Sequence, residues 1–291
     1  MTKINYAVFI LTHGRPDKVY TTSSLVKAGY TGPIYYVVDT GDKTIEDYKN
    51  KWGEDNVKVF DKAETVKTFD IMDNQDDYRC IVFARNESFR IAEELGLDYF
   101  IELDDDYTQF NYRFDDEYRY IKATRPIKNI NKIFEAMIEY LENAGLDTIA
   151  FAQGGDFIGG SKGGMAQAVQ SKRKAMNLFV LKTSRKFNFI GRINEDVNTY
   201  TSLGSTGKLF LTTTQVGLEQ KTTQTNSGGM TEMYKSEGTY VKSFYSVMAS
   251  PSSVKINLMG NKNKRLHHII SWKHTVPKII KESYKKSVIK A

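Results

Sequence analysis

A single cysteine, Cys80, stands among 291 residues. An intramolecular disulfide is therefore impossible and a thiolate zinc centre is excluded, so any metal must rest on carboxylates and histidines. Histidine is also scarce, and of the four residues only His267, His268 and His274 cluster in sequence. The chain has no run near the roughly 18 apolar residues of a membrane span. Its start, MTKINYAVFILTHGR, lacks the long apolar region and small-residue cleavage site of a signal peptide. These absences predict a cytoplasmic protein. No complete repeat, heptad pattern or low-complexity tract occurs. The composition, 40% hydrophobic, 26% charged and 12% aromatic, is that of a folded globular chain rather than a disordered one.

Acidic residues are short in one half only. Residues 151–291 hold 22 Lys and Arg against 7 Asp and Glu, a net of +15, whereas residues 1–150 hold 19 against 28, a net of −9. A basic half suits a polyanion such as nucleic acid, a nucleotide phosphate or an anionic surface; lysines that merely solvate a surface are the plain alternative.

Hydrophobic patterning in the first hundred residues predicts βαβαβ spacing. YAVFIL (residues 6–11) is a β-rich run, followed by the turn Thr12-His13-Gly14-Arg15-Pro16 and a helix from Asp17 to Ala28, stopped by Gly29. Strands are expected at 34–38, ending in Asp39, and at 57–60, with a helix at 44–52 between them. A helix from Arg85 to Leu95, capped by Gly96, leads to a buried strand at 99–103 that runs into Asp104-Asp105-Asp106. Ligands of open parallel sheets gather outside the carboxyl ends of strands, so His13, Arg15, Asp39 and the three aspartates are expected at one crevice. Crowded aspartates call for a divalent cation such as Mg²⁺ or Mn²⁺, which can carry nucleotide phosphates. Side chains alternate along a strand, so Asp104 and Asp106 point together as a D-x-D pair while Asp105 points elsewhere. Asp115-Asp116-Glu117, with no apolar strand before it, reads as a solvated loop.

The segment FARNESFRIAEELGLDYFIELDDD (residues 83–106) resembles the stretch of GT-A glycosyltransferases in which an Arg-Asn helix, a glycine and an apolar strand lead into D-x-D. The resemblance implies an α/β fold with a Rossmann-like, mixed but mostly parallel sheet flanked by helices. It implies a nucleotide-sugar donor, a UDP-sugar first, bound with Mn²⁺ or Mg²⁺. Asp104 would contact the ribose or the metal shell, Asp106 would ligate the metal, and Arg85 and Asn86 would help hold the nucleotide. One domain over 1–291 is expected, with 1–150 as the nucleotide-sugar and metal half and 151–291 as the basic acceptor half.

FIGRINED (residues 189–196) looks like the Glu-Asp motif that opens a helix behind the acceptor pocket of inverting GT-A enzymes. Asp196 would be the general base and Glu195 a supporting carboxylate, with Glu195 as the alternative base; a helix start that favours acids through its dipole is the bland reading. Many GT-A folds close the metal site with a C-terminal histidine. RLHHIISWKH loosely resembles that position, which would make His268 a metal ligand; on a strand, His267 and His268 cannot both point inward. The glycine-rich GGDFIGGSKGG (154–164) fits no Walker A register, since Ser161 follows Gly160, which disfavours a nucleotide triphosphatase. It is a mobile loop over the site or a linker. Residues 226–253 interleave Tyr234, Tyr240, Phe244 and Tyr245 with lysines, a pattern that suits base stacking and equally suits a core. A lysine-rich helix is expected at 276–288.

Taken together, THGRP, ARNES before D-x-D, INED and the NSGG…YKSEGTY…SFYSV stretch resemble the phage glycosyltransferases associated with TET/JBP-type base hydroxylases. That resemblance implies transfer of a sugar to 5-hydroxymethylpyrimidine, 5-hydroxymethylcytosine first, in double-stranded DNA within the host cytoplasm. Lys172, Arg173, Lys174, Lys262, Lys264 and Arg265 are the cations expected to line the DNA surface. Two alternatives stand beside it: a GT-A transferase acting on a glycan, protein or small molecule, and an inactive GT-A fold that binds nucleic acid.

Overall fold

The computed structural model describes residues 4–74, 78–157, 160–163, 169–221, 230–259 and 264–276. In chain order the first half contains β1 (Tyr6–Leu11), α1 (Tyr20–Lys27), β2 (Ile34–Asp39), α2 (Ile45–Trp52), β3 (Val57–Phe60), α3 (Lys62–Thr65), α4 (Val82–Glu94), β4 (Tyr99–Asp104), β5 (Tyr107–Phe114), β6 (Tyr120–Pro126) and α5 (Ile130–Ala144). The second contains β7 (Thr148–Gln153), β8 (Val169–Gln170), β9 (Leu178–Lys182), α6 (Glu195–Ser205), β10 (Phe210–Gln220), α7 (Met230–Ala249), β11 (Val254–Met259), β12 (Arg265–Ile270) and α8 (Trp272–Thr275).

The strands of one ten-stranded sheet lie in the order β3-β2-β1-β4-β9-β7-β10-β5-β6, with β8 beside β10. The first four are parallel; β9 and β5 run antiparallel to both neighbours and β8 to β10, so seven strands point one way and three the other. This is the mixed, mostly parallel α/β sheet with flanking helices that the sequence predicts. The acidic and basic halves of the sequence share this sheet, because β9 of the second half pairs with β4 of the first.

Alternation along each strand divides the core into two layers. Val8 and Ile10 of β1 and Ile101 and Leu103 of β4 face the layer that includes Leu25 of α1, Tyr48 of α2 and Phe134 of α5. Ala7, Phe9 and Leu11 of β1 and Phe100 of β4 face the layer that includes Phe83 and Phe89 of α4, Val197 and Tyr200 of α6 and Tyr245 of α7. Each large side chain fully withdrawn from water contributes roughly 1.5–3 kcal/mol. Glu102 and Asp104 share the second face with Phe100, which turns two β4 carboxylates toward α4.

Two helix starts differ from the sequence expectation. A 3-10 turn over Pro16–Lys18 delays α1 to Tyr20. Helix α4 begins at Val82, not Arg85, because Phe83 packs edge-on against Phe69 and Tyr78, at 5.4 and 5.3 Å between ring centres. Arg85 is therefore in the body of the helix and buried. The interleaved aromatic stretch forms α7, broken at Gly238, where φ is 72° and ψ 174°. Strands β11 and β12 pair as a separate ribbon against α7. Of the helix expected at 276–288, Val276 is non-helical and 277–288 lie outside the described residues, as do 158–159 and 164 of the glycine-rich segment. Among the described residues no helix is long and apolar enough to cross a membrane.

Candidate active site

Leu11 of β1 is level with Asp104 of β4, so the turn after β1 faces the three aspartates where the strand order reverses. In the turn just past β4, Asp105 points away from Asp104, which faces Arg85. Asp105 Oδ2 accepts hydrogen bonds from Thr12 Oγ1 at 2.6 Å and Arg15 Nε at 2.7 Å. Tyr48 Oη meets Thr12 Oγ1 at 2.8 Å and accepts from the Arg15 amide at 3.0 Å, fixing the turn from α2. His13 Nδ1 lies 2.7 Å from Asp39 Oδ2, with Lys62 Nζ 3.0 Å from the same oxygen. Burial alone would raise the Asp39 pKa, but the His13 hydrogen bond and the Lys62 charge outweigh it and bring it down to about 2. The same hydrogen bond raises the pKa of His13, whose side chain remains 45% exposed.

Arg85 is the hub on the other face. Its side chain is 3% exposed, and Nε donates to Glu195 Oε1 at 3.0 Å, Nη2 to Asp104 Oδ1 at 3.1 Å and Nη1 to Glu102 Oε2 at 3.4 Å. The guanidinium also sits over the rings of Phe179 and Phe189, at 4.9 and 5.7 Å. One cation among three carboxylates is outnumbered. Burial raises Glu102 to about 8 and Glu195 to about 7 and pushes Asp104 upward as well, with Arg85 offsetting only part of the cost. Asn86, next along α4, clasps the backbone of Phe189: Nδ2 donates to its carbonyl at 2.9 Å and Oδ1 accepts from its amide at 2.8 Å. Arg85 and Asn86 thus direct these hydrogen bonds to protein groups.

Asp106 is half-buried and has no ion-pair partner among the described residues. Burial and repulsion from Asp104 and Asp105 raise it to about 7, opposed by the charge of Arg15. An under-compensated carboxylate beside Asp104 is the donor chemistry that a divalent cation fits, with phosphates supplying further oxygens. Among the described residues no three of His, Cys, Asp or Glu stand together in metal-holding geometry. His268 of β12 is buried, but its Nε2 lies 2.8 Å from Lys174 Nζ. An ammonium donating to that nitrogen occupies the lone pair a metal would need, so the expected metal-shell histidine faces a lysine here.

Helix α6 opens with Glu195 and Asp196. Gly191 makes the approach possible: its φ is +85°, and a Cβ there would lie 2.4 Å from Asn198 Nδ2. Asn194, at φ 54°, donates from Nδ2 to the Lys242 carbonyl at 2.7 Å and to Ser246 Oγ at 3.1 Å, tying the helix start to α7. Glu195 is buried on Arg85, whereas Asp196 is half-buried and accepts from the Val197 amide at 2.7 Å. The Asp196 charge raises Asp104 and supports the protonated forms of Lys174 and Lys242, which places all three within its field.

Of the cations expected on a DNA surface, Lys172, Lys264 and Arg265 are exposed. Arg173 turns inward to pair with Asp156, Lys174 is half-buried against His268, and Lys262 lies outside the described residues. Buried carboxylate and imidazole partners account for the two that leave the surface. Tyr240 is 62% exposed and stacks on Phe244, ring centres 4.4 Å apart; the Tyr234 side chain lies outside the described set. Glu102 was not singled out by the sequence, although its position two before Asp104 on one strand puts it on the same face. Lys242 and the Lys174–His268 contact carry no local signal, since they join α7, the segment before β9, and β12.

A family model described as TET-Associated Glycosyltransferase matches residues 6–229. The chain belongs to that family. It is therefore a glycosyltransferase. No functionally curated protein matches the sequence. Among solved structures, the mannosyltransferase PcManGT from Pyrobaculum calidifontis, in complex with GDP-Man and Mn²⁺, is similar at 11% identity and a TM-score of 0.48, covering 86% of this chain and 74% of that one. Glucosyl-3-phosphoglycerate synthase from Mycobacterium tuberculosis, with Mn²⁺, UDP and phosphoglyceric acid, is similar at 8% identity and 0.44, covering 92% and 87%. S. aureus TarS 1-349 with UDP-GlcNAc is similar at 12% identity and 0.42; this chain spans 64% of its length.

Proposed function

We propose that this family member transfers a sugar from a nucleotide-sugar donor, a UDP-sugar first, to a 5-hydroxymethylpyrimidine, 5-hydroxymethylcytosine first, in DNA, with inversion at the anomeric carbon. The observation that supports the reading is Arg85, which bridges Asp104 at the end of β4 to Glu195 at the start of α6, next to Asp196, whose charge reaches Asp104.

A divalent cation held by Asp104 and Asp106 would neutralise the donor diphosphate and stabilise the leaving charge. Arg85 keeps Asp104 and Glu195 in place from beneath, and Asn86 holds the Phe189 backbone that leads to α6. The turn carrying His13 and Arg15, fixed by Asp39 and Asp105, lines the nucleotide side. Asp196 accepts the proton of the acceptor hydroxyl as its oxygen bonds to the anomeric carbon; the bond from that carbon to the diphosphate breaks, and the nucleoside diphosphate leaves. Glu195, buried on Arg85, is the supporting carboxylate. Exposed Lys172, Lys264 and Arg265 neutralise DNA phosphates, and binding weakens with salt by a log-log slope of roughly −0.9 per phosphate on duplex DNA. A hydroxymethyl group enters such a crevice when its base flips out, and Tyr240 offers a stacking face.

The deciding assay offers DNA with and without 5-hydroxymethylcytosine or 5-hydroxymethyluracil to the enzyme with a panel of nucleotide sugars and Mn²⁺. Mass spectrometry of the digested nucleosides should find a hexose or pentose added only to the hydroxymethylated base. A glycan, protein or small molecule that gains sugar while no base does would move the acceptor to that class. Absence of transfer to any acceptor, with DNA still bound, would favour a binding role.

A further inference from the structure

Lys174 is a cation placed where a surface lysine would not be. It is half-buried, its Nζ lies 2.8 Å from His268 Nε2, and no carboxylate lies within 4.0 Å of it among the described residues. An ammonium has three N–H donors, and one imidazole satisfies one of them. Two other basic side chains stand around it. His267 stacks on His268 with ring centres 4.4 Å apart. Lys242 is held at the same place from α7: its carbonyl accepts from Asn194 Nδ2 at 2.7 Å, and its neighbour Ser243 bonds the Leu266 carbonyl of β12 at 3.0 Å. Crowding lowers these groups together, Lys174 to about 8 and His267 to about 4, burial being the first cause in each. Asp196 is the acidic group whose charge supports both lysines.

Lys174 is a partly desolvated ammonium with unused donors, which is a site for an anion, and its position beside Asp196 says whose anion it is. In an inverting displacement the base and the leaving group lie on opposite faces of the anomeric carbon. Cations next to the base cannot also receive the departing diphosphate. They sit on the acceptor's side.

We propose that Lys174, with Lys242 and the His267–His268 pair around it, binds the acceptor-strand phosphodiester adjoining the nucleotide that receives the sugar. The inference rests on the reading of Asp196 as base and of DNA as acceptor. It makes the crevice selective for a hydroxyl carried on a phosphodiester backbone over the same hydroxyl on a free nucleoside. It also separates Lys174 from Lys172, Lys264 and Arg265, which serve phosphates farther along the strand.

The test measures equilibrium binding by fluorescence anisotropy for the full chain, Lys174→Met and Lys174→Arg. Two single-stranded oligonucleotides carrying 5-hydroxymethylcytosine are compared, one natural and one with neutral methylphosphonates flanking the modified base. UDP binding with Mn²⁺ is titrated in parallel, and thermal unfolding checks that each variant folds. On the natural strand Lys174→Met should bind about tenfold more weakly, the scale of a charged hydrogen bond. Its salt slope should shrink by about 0.7. On the neutral strand wild type and Lys174→Met should bind alike, Lys174→Arg should recover most of the natural-strand affinity, and UDP affinity should not move. Equal weakening on both strands overturns the proposal, as does weakened UDP binding with DNA binding intact. If no sugar reaches DNA but the coupling between Lys174 and the flanking phosphates persists, the transfer reading fails and the phosphate site stands. Transfer without that coupling has the reverse meaning.

Discussion

Arg85 Nε donates to Glu195 Oε1 across 3.0 Å, joining side chains 110 residues apart and linking the strand that bears the D-x-D pair to the helix that bears the proposed base. The guanidinium is held between β4 and α6 by charge and by two aromatic faces. Arg85→Met keeps much of the volume and removes the charge, leaving Asp104 and Glu195 without the cation they share in a desolvated space. The expected loss is on the order of 3–5 kcal/mol, measured by urea unfolding. Glu102→Gln tests the other side. With its pKa at about 8, Glu102 is mainly protonated at neutral pH, and the amide mimics that form, so the change should stay within about 1 kcal/mol. A Glu102→Gln variant as unstable as Arg85→Met would show an ionised Glu102 instead.

Asp106 and Asp104 should separate in their effects. Asp106→Asn removes a charge that repels its neighbours, so the melting temperature should hold or rise, while the gain in UDP affinity on adding Mn²⁺ should fall by about tenfold or more. Asp104→Asn should lose that gain and also some stability, because Asp104 accepts an N–H of Arg85 at 3.1 Å. Calorimetric titration of UDP with and without Mn²⁺ reads both. Normal Mn²⁺-dependent affinity in Asp106→Asn would take Asp106 out of the metal site.

Asp196→Asn should keep donor binding and lose on the order of 10² or more in kcat, the usual scale for a general base. The product from the wild type should have inverted anomeric configuration, read by NMR of the transferred sugar. Retention would remove Asp196 from this role, since a retaining route needs no base on the far face.

The His13–Asp39 pair predicts two limbs in the pH dependence of stability. The pKa of Asp39 is depressed to about 2 from 3.8, so its contribution is complete above 3.8 and is lost as pH falls toward 2. The pKa of His13 is raised above 6.5, so its contribution is complete below 6.5 and is lost as pH rises through the folded value. Melting temperatures of wild type and His13→Asn should converge on the alkaline side and separate on the mildly acidic side. A constant difference between about pH 5 and 9 would mean that His13 is not charged in the pair.

Local sequence determined β1 to β4 and the turn after β1, because burial on alternate sides and breaker residues act over a few positions; it missed β5, which runs from Tyr107 to Phe114 directly before Asp115. Tyr6–Leu11 and Val57–Phe60 form where hydrophobic period and β-branching place them, and Asp105, in the turn just past β4, faces Thr12 and Arg15 while Asp104 faces Arg85. The position of Glu195 and Asp196 at a helix start was legible for the same reason. Tertiary structure decided what those groups meet. Arg85 looked like a helix-start residue free for a nucleotide, but Phe83 packing on Phe69 and Tyr78 extended the helix and buried Arg85 among carboxylates from distant segments. Lys174 and His268 looked like a surface cation and a metal ligand; the packing of β12 and α7 brought them to 2.8 Å. Charge pairing and desolvation depend on distances between segments a hundred residues apart, and only the folded sheet sets those distances.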